Sequence, residues 1–412
     1  MSEAALRVSP QDYAPPDVIN RMRSRALFIG LPFAAVSTFC AVKNTDLFLR
    51  SWLVSFMFWL GLTLGSLALL MLQYTSGGNW GRLGRRIWEA AASNLWLMFL
   101  LWLPIAFGVK SLYPWARYKD QAEAVADLGQ KARYYLNPTG FWLRGIIFFA
   151  VWGILLWFLR QWADKEEAGN TTPREFVRVQ NVSGFGIVFY AASITFFSID
   201  LSMSLDPKWW STVWGMLFMV GQVLSTLCFT IFLLTRLAPI EPLSKMFKVD
   251  YLHDFGKLMF AFVVLWAYLS FSQWIIIWSG NLVEEIRWYL IRLNGGWQYF
   301  GTILILAHFV FPFALLLSRN LKRHASRVVK IALFIMFMRY IDLFWITAPN
   351  FYQGPNGEGL KNFGILDGIF YVVCAVAIGG LWLFFFFFRL SQRSLMPVND
   401  PNFVEMLEAK HG

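Results

Sequence analysis

Cysteine and histidine are scarce in this chain of 412 residues, which holds three Cys and four His. Cys40, Cys228 and Cys374 lie far apart in three separate apolar stretches, so the sequence offers neither a disulfide framework nor a metal-ligand spacing. Only His308 falls deep inside such a stretch, whereas a membrane haem held by two imidazoles needs a pair facing across helices. The expectation is a chain with no cofactor and no metal of its own. Charge is also sparse: 15% of residues are Asp, Glu, Lys or Arg, against about 25% in soluble domains. No cleavable signal peptide is expected, because the first basic cluster lies well inside the chain and no small-residue cleavage site follows it.

Apolar residues take up the room, at 57% of the chain with a mean hydropathy of +0.50. A spanning helix needs about 20 apolar residues at about 1.5 Å each. About ten stretches qualify: Ala26 to Val42, Ser51 to Tyr74, Ile87 to Gly108, Phe141 to Leu159, Val182 to Ser204, Trp209 to Leu234, Phe255 to Trp278, Trp297 to Ser318, Val328 to Thr347 and Phe363 to Phe388. Barrel strands would be half as long and would alternate in polarity, which these do not. The predicted fold is an all-α polytopic membrane protein of about ten transmembrane helices, numbered one to ten in chain order.

The loops predict an orientation, since Lys and Arg are retained on the cytoplasmic side. Arg21, Arg23 and Arg25 precede helix one, Arg82, Arg85 and Arg86 follow helix two, and Arg319, Lys322, Arg323 and Arg327 follow helix eight. All fall on one side, which puts both termini in the cytoplasm of a cell whose plasma membrane holds the protein. The net charge of +11 is then a topology signal, and nucleic acid is not an expected partner.

Helix two laid over helix six matches Ser51, Phe58, Gly61 and Leu64 with Ser211, Phe218, Gly221 and Leu224 at one offset. "YLNPTGFWLRG" before helix four is similar to "IRLNGGWQYFG" before helix eight, sharing Leu136-Asn137 with Leu293-Asn294 and Gly145 with Gly301. The unit is four helices, so the copies run the same way through the membrane and form a parallel repeat. The expected organisation is a cytoplasmic N-terminal segment (1–25), a first span (26–50), two four-helix bundles (51–204 and 209–347), a last span (363–389) and a cytoplasmic tail (390–412).

Polar groups inside spans carry the chemical signal, because a charge at the bilayer centre costs about 2.5 to 3.5 kcal/mol and needs an interior partner. On helix seven, Asp254, Lys257, Tyr268, Ser272 and Ser279 fall within about 60° of one another, a polar stripe interrupted by Ala261 and Val264. His253 lies beside its cytoplasmic end, and Asn281, Glu284 and Glu285 lie at its outer mouth. The stripe reads as two half-paths for protons, with His308, Asp342 or Asp200 from neighbouring helices to bridge the gap. The bland alternative is that Lys257 snorkels to the interface and the glutamates are solvated. In helix nine, Arg339 and Asp342 sit three apart and can pair, for proton transfer or for register alone. His308 precedes Pro312 by four, so the proline removes the donor for the His308 carbonyl and a polar kink is expected. Glu89 and Asp367, near the starts of helices three and ten, are expected to be wet.

The stretch "IDLSMSLDPKWWST", with Asp200, resembles the junction of helices five and six in the polysulfide-reductase (NrfD-like) membrane subunits of bacterial alternative complex III, a quinol-oxidising assembly. "YLHDFGKLMFAFVVLWAYLSFSQWIIIWSGNLVEEIRWY" is similar to helix seven of that family, nearest its ActF-type subunit, and "LMPVNDPNF" is similar to that subunit's cytoplasmic end. In the sister ActC-type subunit, which the resemblance associates with the quinol site, Pro-Gly-Trp-His follows, whereas here Pro207 is followed by Lys208, Trp209 and Trp210. The histidine that could take a proton from a quinol is missing, and an indole does not replace it. The resemblance implies a cofactor-free subunit of a quinol:cytochrome c (or related acceptor) oxidoreductase in a respiratory chain, without its own quinol site. The implied partners are a quinol-binding paralogous membrane subunit, haem c and iron-sulfur subunits on the extracytoplasmic side, a terminal oxidase and lipids. The polar, helix-forming segment "QAEAVADLGQKARYYL" suits such docking. A pure scaffold subunit is the alternative. A secondary transporter fits less well, since no Gly/Pro-broken helix pair marks a midplane site.

Overall fold

The computed structural model describes residues 13–397 and 400, apart from 171, 242, 246, 248 and 354–358. The outer parts of both expected terminal segments, and part of "LMPVNDPNF", lie outside the described residues. Within them every regular element is helical. The main helices are α1 (Asp17–Lys43), α2 (Thr45–Ser76), α3 (Asn79–Ala92), α4 (Leu95–Phe107), α5 (Gln121–Leu128), α6 (Pro138–Glu167) and α7 (Pro173–Leu201). They continue as α8 (Trp214–Leu237), α9 (Val249–Gly280), α10 (Val283–Leu293), α11 (Trp297–Leu317), α12 (Ala325–Thr347) and α13 (Ile365–Leu390). Nine of the described helices are long and apolar enough to cross a membrane, and α3 with α4 makes a tenth if that bent pair counts as one span. The chain is an all-α protein of multi-pass membrane type.

Several helices run beyond their apolar stretches, because hydropathy marks only the part that hydrocarbon would surround. Polar start signals set the true ends. Asn44 caps α2 by accepting from the Leu47 N–H at 3.1 Å, and Asn137 caps α6 by accepting from Gly140 at 2.7 Å, with Pro138 in the first turn. Thr172 and Glu175 form a capping box ahead of α7, whose first residue is Pro173. The helix-forming segment after α4 becomes α5 and ends at Gly129, whose φ of 65° a side chain would resist.

Helix three departs most from expectation. Arg82, Arg85 and Arg86, expected in a loop, belong to α3, and the helix bends by 42° before α4. The bend falls at Ser93 and Asn94: the Ser93 hydroxyl bonds back to the Glu89 carbonyl, and the Asn94 amide donates across to the Trp382 carbonyl at 2.9 Å. Side-chain competition for the helix ladder is a sufficient cause.

Helices α2 and α8 are apolar all round and almost wholly buried, as a central pair must be. Around α2 pack α1, α3, α4, α7, α12 and α13, and around α8 pack α7, α9 and α12. Helices α1 and α13 meet backbone to backbone at Gly30 and Gly380, where a Cβ on either would run into the other.

Contacts define two ends. At the basic end Arg85 meets Glu166 and Asp400, Arg323 pairs with Asp250 at 3.1 Å, and the Leu395 N–H donates to the Tyr13 carbonyl. At the opposite end Lys208 pairs with Asp127 at 2.8 Å, the Trp209 indole donates to the Glu285 carbonyl, and Leu360 N–H donates to the Gly295 carbonyl.

Candidate functional site

Charge within the middle of the helices gathers at one place. Helix α12 carries Arg339 and Asp342 one turn apart, both buried, with the guanidinium Nη1 directly on the Asp342 carboxylate. The same oxygen, Oδ2, accepts from the Trp266 indole of α9 at 3.1 Å. The Trp266 ring stands edge-on to the His308 imidazole of α11, with centroids 4.3 Å apart. His308 is 0% exposed, and neither ring nitrogen has a hydrogen-bond partner among the described residues. Gly221 of α8 makes the space for Arg339, since a Cβ there would overlap the guanidinium. Val220, Leu269, Leu304 and Met338 close the surroundings.

Local sequence explains the His308 turn. Pro312 has no N–H and its ring would strike the carbonyl four residues back. Residues Leu304–Val310 therefore widen into a π-helical turn, in which the Phe311 N–H reaches the Leu306 carbonyl five residues back. The expected polar kink thus takes the form of a π turn, a feature frequent at functional sites.

The helix-seven stripe lies elsewhere. Tyr268 is 64% exposed, Ser272 is half-buried, and Lys257 pairs at 3.2 Å with Asp254 on the outer surface of the chain. Trp266, which meets His308 and Asp342, lies about 200° round the helix from Tyr268. His308 and Asp342 thus contact α9 on the face away from the stripe, and the expected bridge between its halves is not formed by them. His253 is buried at the basic end of α9, whereas beyond its other end Asn281 turns the chain at φ 47° and Glu284 and Glu285 lie in the first turn of α10.

Asp200 is a separate centre near the end of α7. Arg144 of α6 clasps it with two hydrogen bonds, Nε to Oδ2 at 2.9 Å and Nη2 to Oδ1 at 2.8 Å, and the guanidinium lies 3.8 Å over the Tyr135 ring. A buried carboxylate met by a planar fork and an aromatic face is neutralised and oriented. Arg144 was legible as a charge in "YLNPTGFWLRG", but nothing in its spacing links it to Asp200. Of the two tryptophans after Pro207, Trp209 is buried and stacks on Trp288 with centroids 4.9 Å apart, while Trp210 is 47% exposed. Only Trp209 fills the interior there.

Two buried groups escaped the sequence reading. Arg292 of α10 is enclosed, 3.5 Å over the Trp288 ring, and donates to the carbonyls of Trp288 and Ile346 at 3.0 and 2.6 Å. Burial pushes its guanidinium down to about 9, against the pull of the Asp206 carboxylate. Its place in a short amphipathic helix gives no sign of burial. Glu89, expected to be wet, is instead buried beside Arg85 and Arg86 at 3.2 and 2.7 Å. Amphipathic α3 turns its charged face inward because Glu166 and Asp400, remote in sequence, meet it there. Asp367 accepts from the Gly364 N–H at 2.7 Å and the Tyr352 hydroxyl at 3.1 Å, a cap at the start of α13.

No group of three or more His, Cys, Asp or Glu side chains suited to a metal ion occurs among the described residues. In chemical terms, the α9–α11–α12 centre holds a neutralised ion pair next to a titratable ring with free nitrogens, in apolar surroundings. The chain matches no family model and no curated protein.

Proposed function

We propose that this chain is a cofactor-free membrane subunit of a quinol-oxidising electron-transport complex, and that its Arg339–Asp342–Trp266–His308 centre handles protons. The observation that carries the reading is His308: an enclosed imidazole with both nitrogens free, on a π turn, beside a buried ion pair. A membrane interior holds such a group only at a free-energy cost, which makes function the default explanation. The likeness of residues 199–212 and of α9 to the polysulfide-reductase (NrfD-like) family supplies the kind of complex. Docking beside a quinol-binding subunit and haem-bearing and iron-sulfur subunits suits the outward-facing Tyr268 stripe, since polar groups on a lipid-facing surface are better placed against protein. The contact of α2 with α8, the two helices that align with each other, agrees with a pseudo-two-fold arrangement of two bundles.

The scaffold reading has its own support, because Arg339 and Asp342 neutralise each other and a closed pair also fixes register. One experiment separates the two. The tagged chain is purified from its native membrane with mild detergent and should bring haem c and iron-sulfur partners with it. In proteoliposomes of that complex, His308→Leu should keep quinol oxidation and lower the proton-to-electron ratio. An unchanged ratio leaves the scaffold reading, and a chain that purifies alone and binds solute refutes both.

A further inference from the structure

At the basic end, a notch between α3, α6 and the end of α13 is lined by four arginines, Arg86, Arg160, Arg389 and Arg393, against one carboxylate, Glu89. Two of the four are matched. Arg86 pairs with Glu89 at 2.7 Å and Glu167 at 3.6 Å, and Arg393 pairs with Asp164 and with Glu167 at 3.7 Å. The other two have no carboxylate partner among the described residues: Arg389 donates to the Gln392 amide oxygen at 3.4 Å, and Arg160 lies close enough to Arg389 and Arg393 to repel both. Like charges held together in a partly buried notch are unfavourable without an anion between them.

Apolar side chains continue the notch towards the membrane. Phe385 lies one turn before Arg389 on α13, and Trp96 one turn after Ser93, which lines the notch between α3 and α4. Trp96 is exposed and meets Phe385 edge to face at 4.8 Å. Guanidiniums at the helix ends with aromatics just inside them match the two parts of a phospholipid, a phosphate and the start of its acyl chains.

We infer that this notch is a specific site for an anionic phospholipid, with Arg160 and Arg389 holding the headgroup phosphate and Trp96 and Phe385 flanking the acyl chains. Guanidinium forks suit phosphate oxygens, and the same chemistry would take a free phosphate ion. The aromatic surround commits the site to lipid. The inference rests on the membrane setting alone and is independent of any role in electron transport.

The test uses the protein purified in its native assembly, stripped of lipid by detergent exchange. It is then titrated with phosphatidylglycerol or phosphatidylcholine of matched chains, and bound lipid is read by native mass spectrometry. Phosphatidylglycerol should bind more tightly than phosphatidylcholine, and Arg160→Gln with Arg389→Gln should weaken it by about tenfold or more while leaving phosphatidylcholine unchanged. Arg160→Lys with Arg389→Lys should keep most of the preference, and millimolar inorganic phosphate should not displace the lipid. Equal binding of the two lipids by the unaltered protein overturns the inference, as does an unchanged preference in the Gln variant. Inorganic phosphate that binds by itself and displaces the lipid assigns the notch to the free ion instead.

Discussion

Two buried charge centres in this chain use the same residue types and are built in opposite ways. At the basic end, Arg85 is shared between Glu89 at 3.2 Å, Asp400 at 3.1 Å and Glu166, and it also donates to the Tyr74 hydroxyl at 2.7 Å. One guanidinium thereby ties α2, α3, α6 and the segment after α13 together. In the middle of the helices, Arg339 meets one carboxylate, that carboxylate accepts from one indole, and the neighbouring imidazole hydrogen-bonds neither. The first centre satisfies its donors many times over and acts as a clamp. The second is as small as a neutral pair can be and leaves a titratable group unpaired, which is where chemistry has room to occur.

Removing a partner from the clamp should have the largest effect. Arg85→Leu strands Glu166 away from water and takes one partner each from Glu89 and Asp400, and loss of one side of a buried pair costs about 3–5 kcal/mol. A large fall in the thermal unfolding midpoint of the detergent-solubilised protein is the expected result, and no single second substitution should restore it, because several carboxylates are left behind. Arg339→Leu alone should cost a similar amount, about 3–5 kcal/mol. Adding Asp342→Leu should recover most of that loss, since a buried pair replaced by apolar groups is often neutral. If the double variant is as unstable as the single, the mid-helix centre is a clamp too and the contrast fails.

Intermediate effects probe the walls of the second centre. Gly221→Ala puts a methyl where the Arg339 guanidinium lies, and overpacking of this kind costs about 1–3 kcal/mol. His308→Leu should go the other way: it removes two unsatisfied nitrogens, so the midpoint should hold or rise by the equivalent of about 1 kcal/mol. A clear loss of stability in His308→Leu would mean that the imidazole has a structural partner.

The span positions were legible in the sequence because length and hydropathy decide them, and the Arg339–Asp342 pair because three-residue spacing on one helix is visible without a fold. Which way a helical face points was not legible. A helical wheel places Tyr268 with Lys257 and Ser272, yet whether that face looks inward depends on where α11 and α12 pack, and they take the Trp266 side. The α3 arginines illustrate the same limit. Their number fits a cytoplasmic loop as well as a buried clamp, and only contacts with Glu166 and Asp400, remote along the chain, tell the two apart. Arg144 and Asp200 are separated in the same way.

The smallest effect comes from the same chemistry left in water, and it gives the comparison its reference point. Lys208 pairs with Asp127 at 2.8 Å, with both side chains about half exposed, and Tyr118 also hydrogen-bonds the Asp127 carboxylate. This pair ties α5 to the turn before α8. Hydrogen bonds from Lys208 and Tyr118 hold the Asp127 carboxyl below its usual range. A carboxyl whose folded value is depressed contributes stability that is present above its unfolded value, about 3.9, and is lost as pH falls through the folded value. The protection that this pair adds to the α5 amide hydrogens should therefore be constant between neutral pH and about pH 5 and fade only in more acidic solution. Lys208→Met should remove most of that acid dependence and leave the unfolding midpoint of the rest of the protein unchanged, because exposed pairs contribute little and are screened by salt. Strong α5 protection that survives in Lys208→Met at all pH values would show that apolar contacts of Ala124 and Leu128, both buried, hold the helix, and that burial rather than charge sets stability at this end as well.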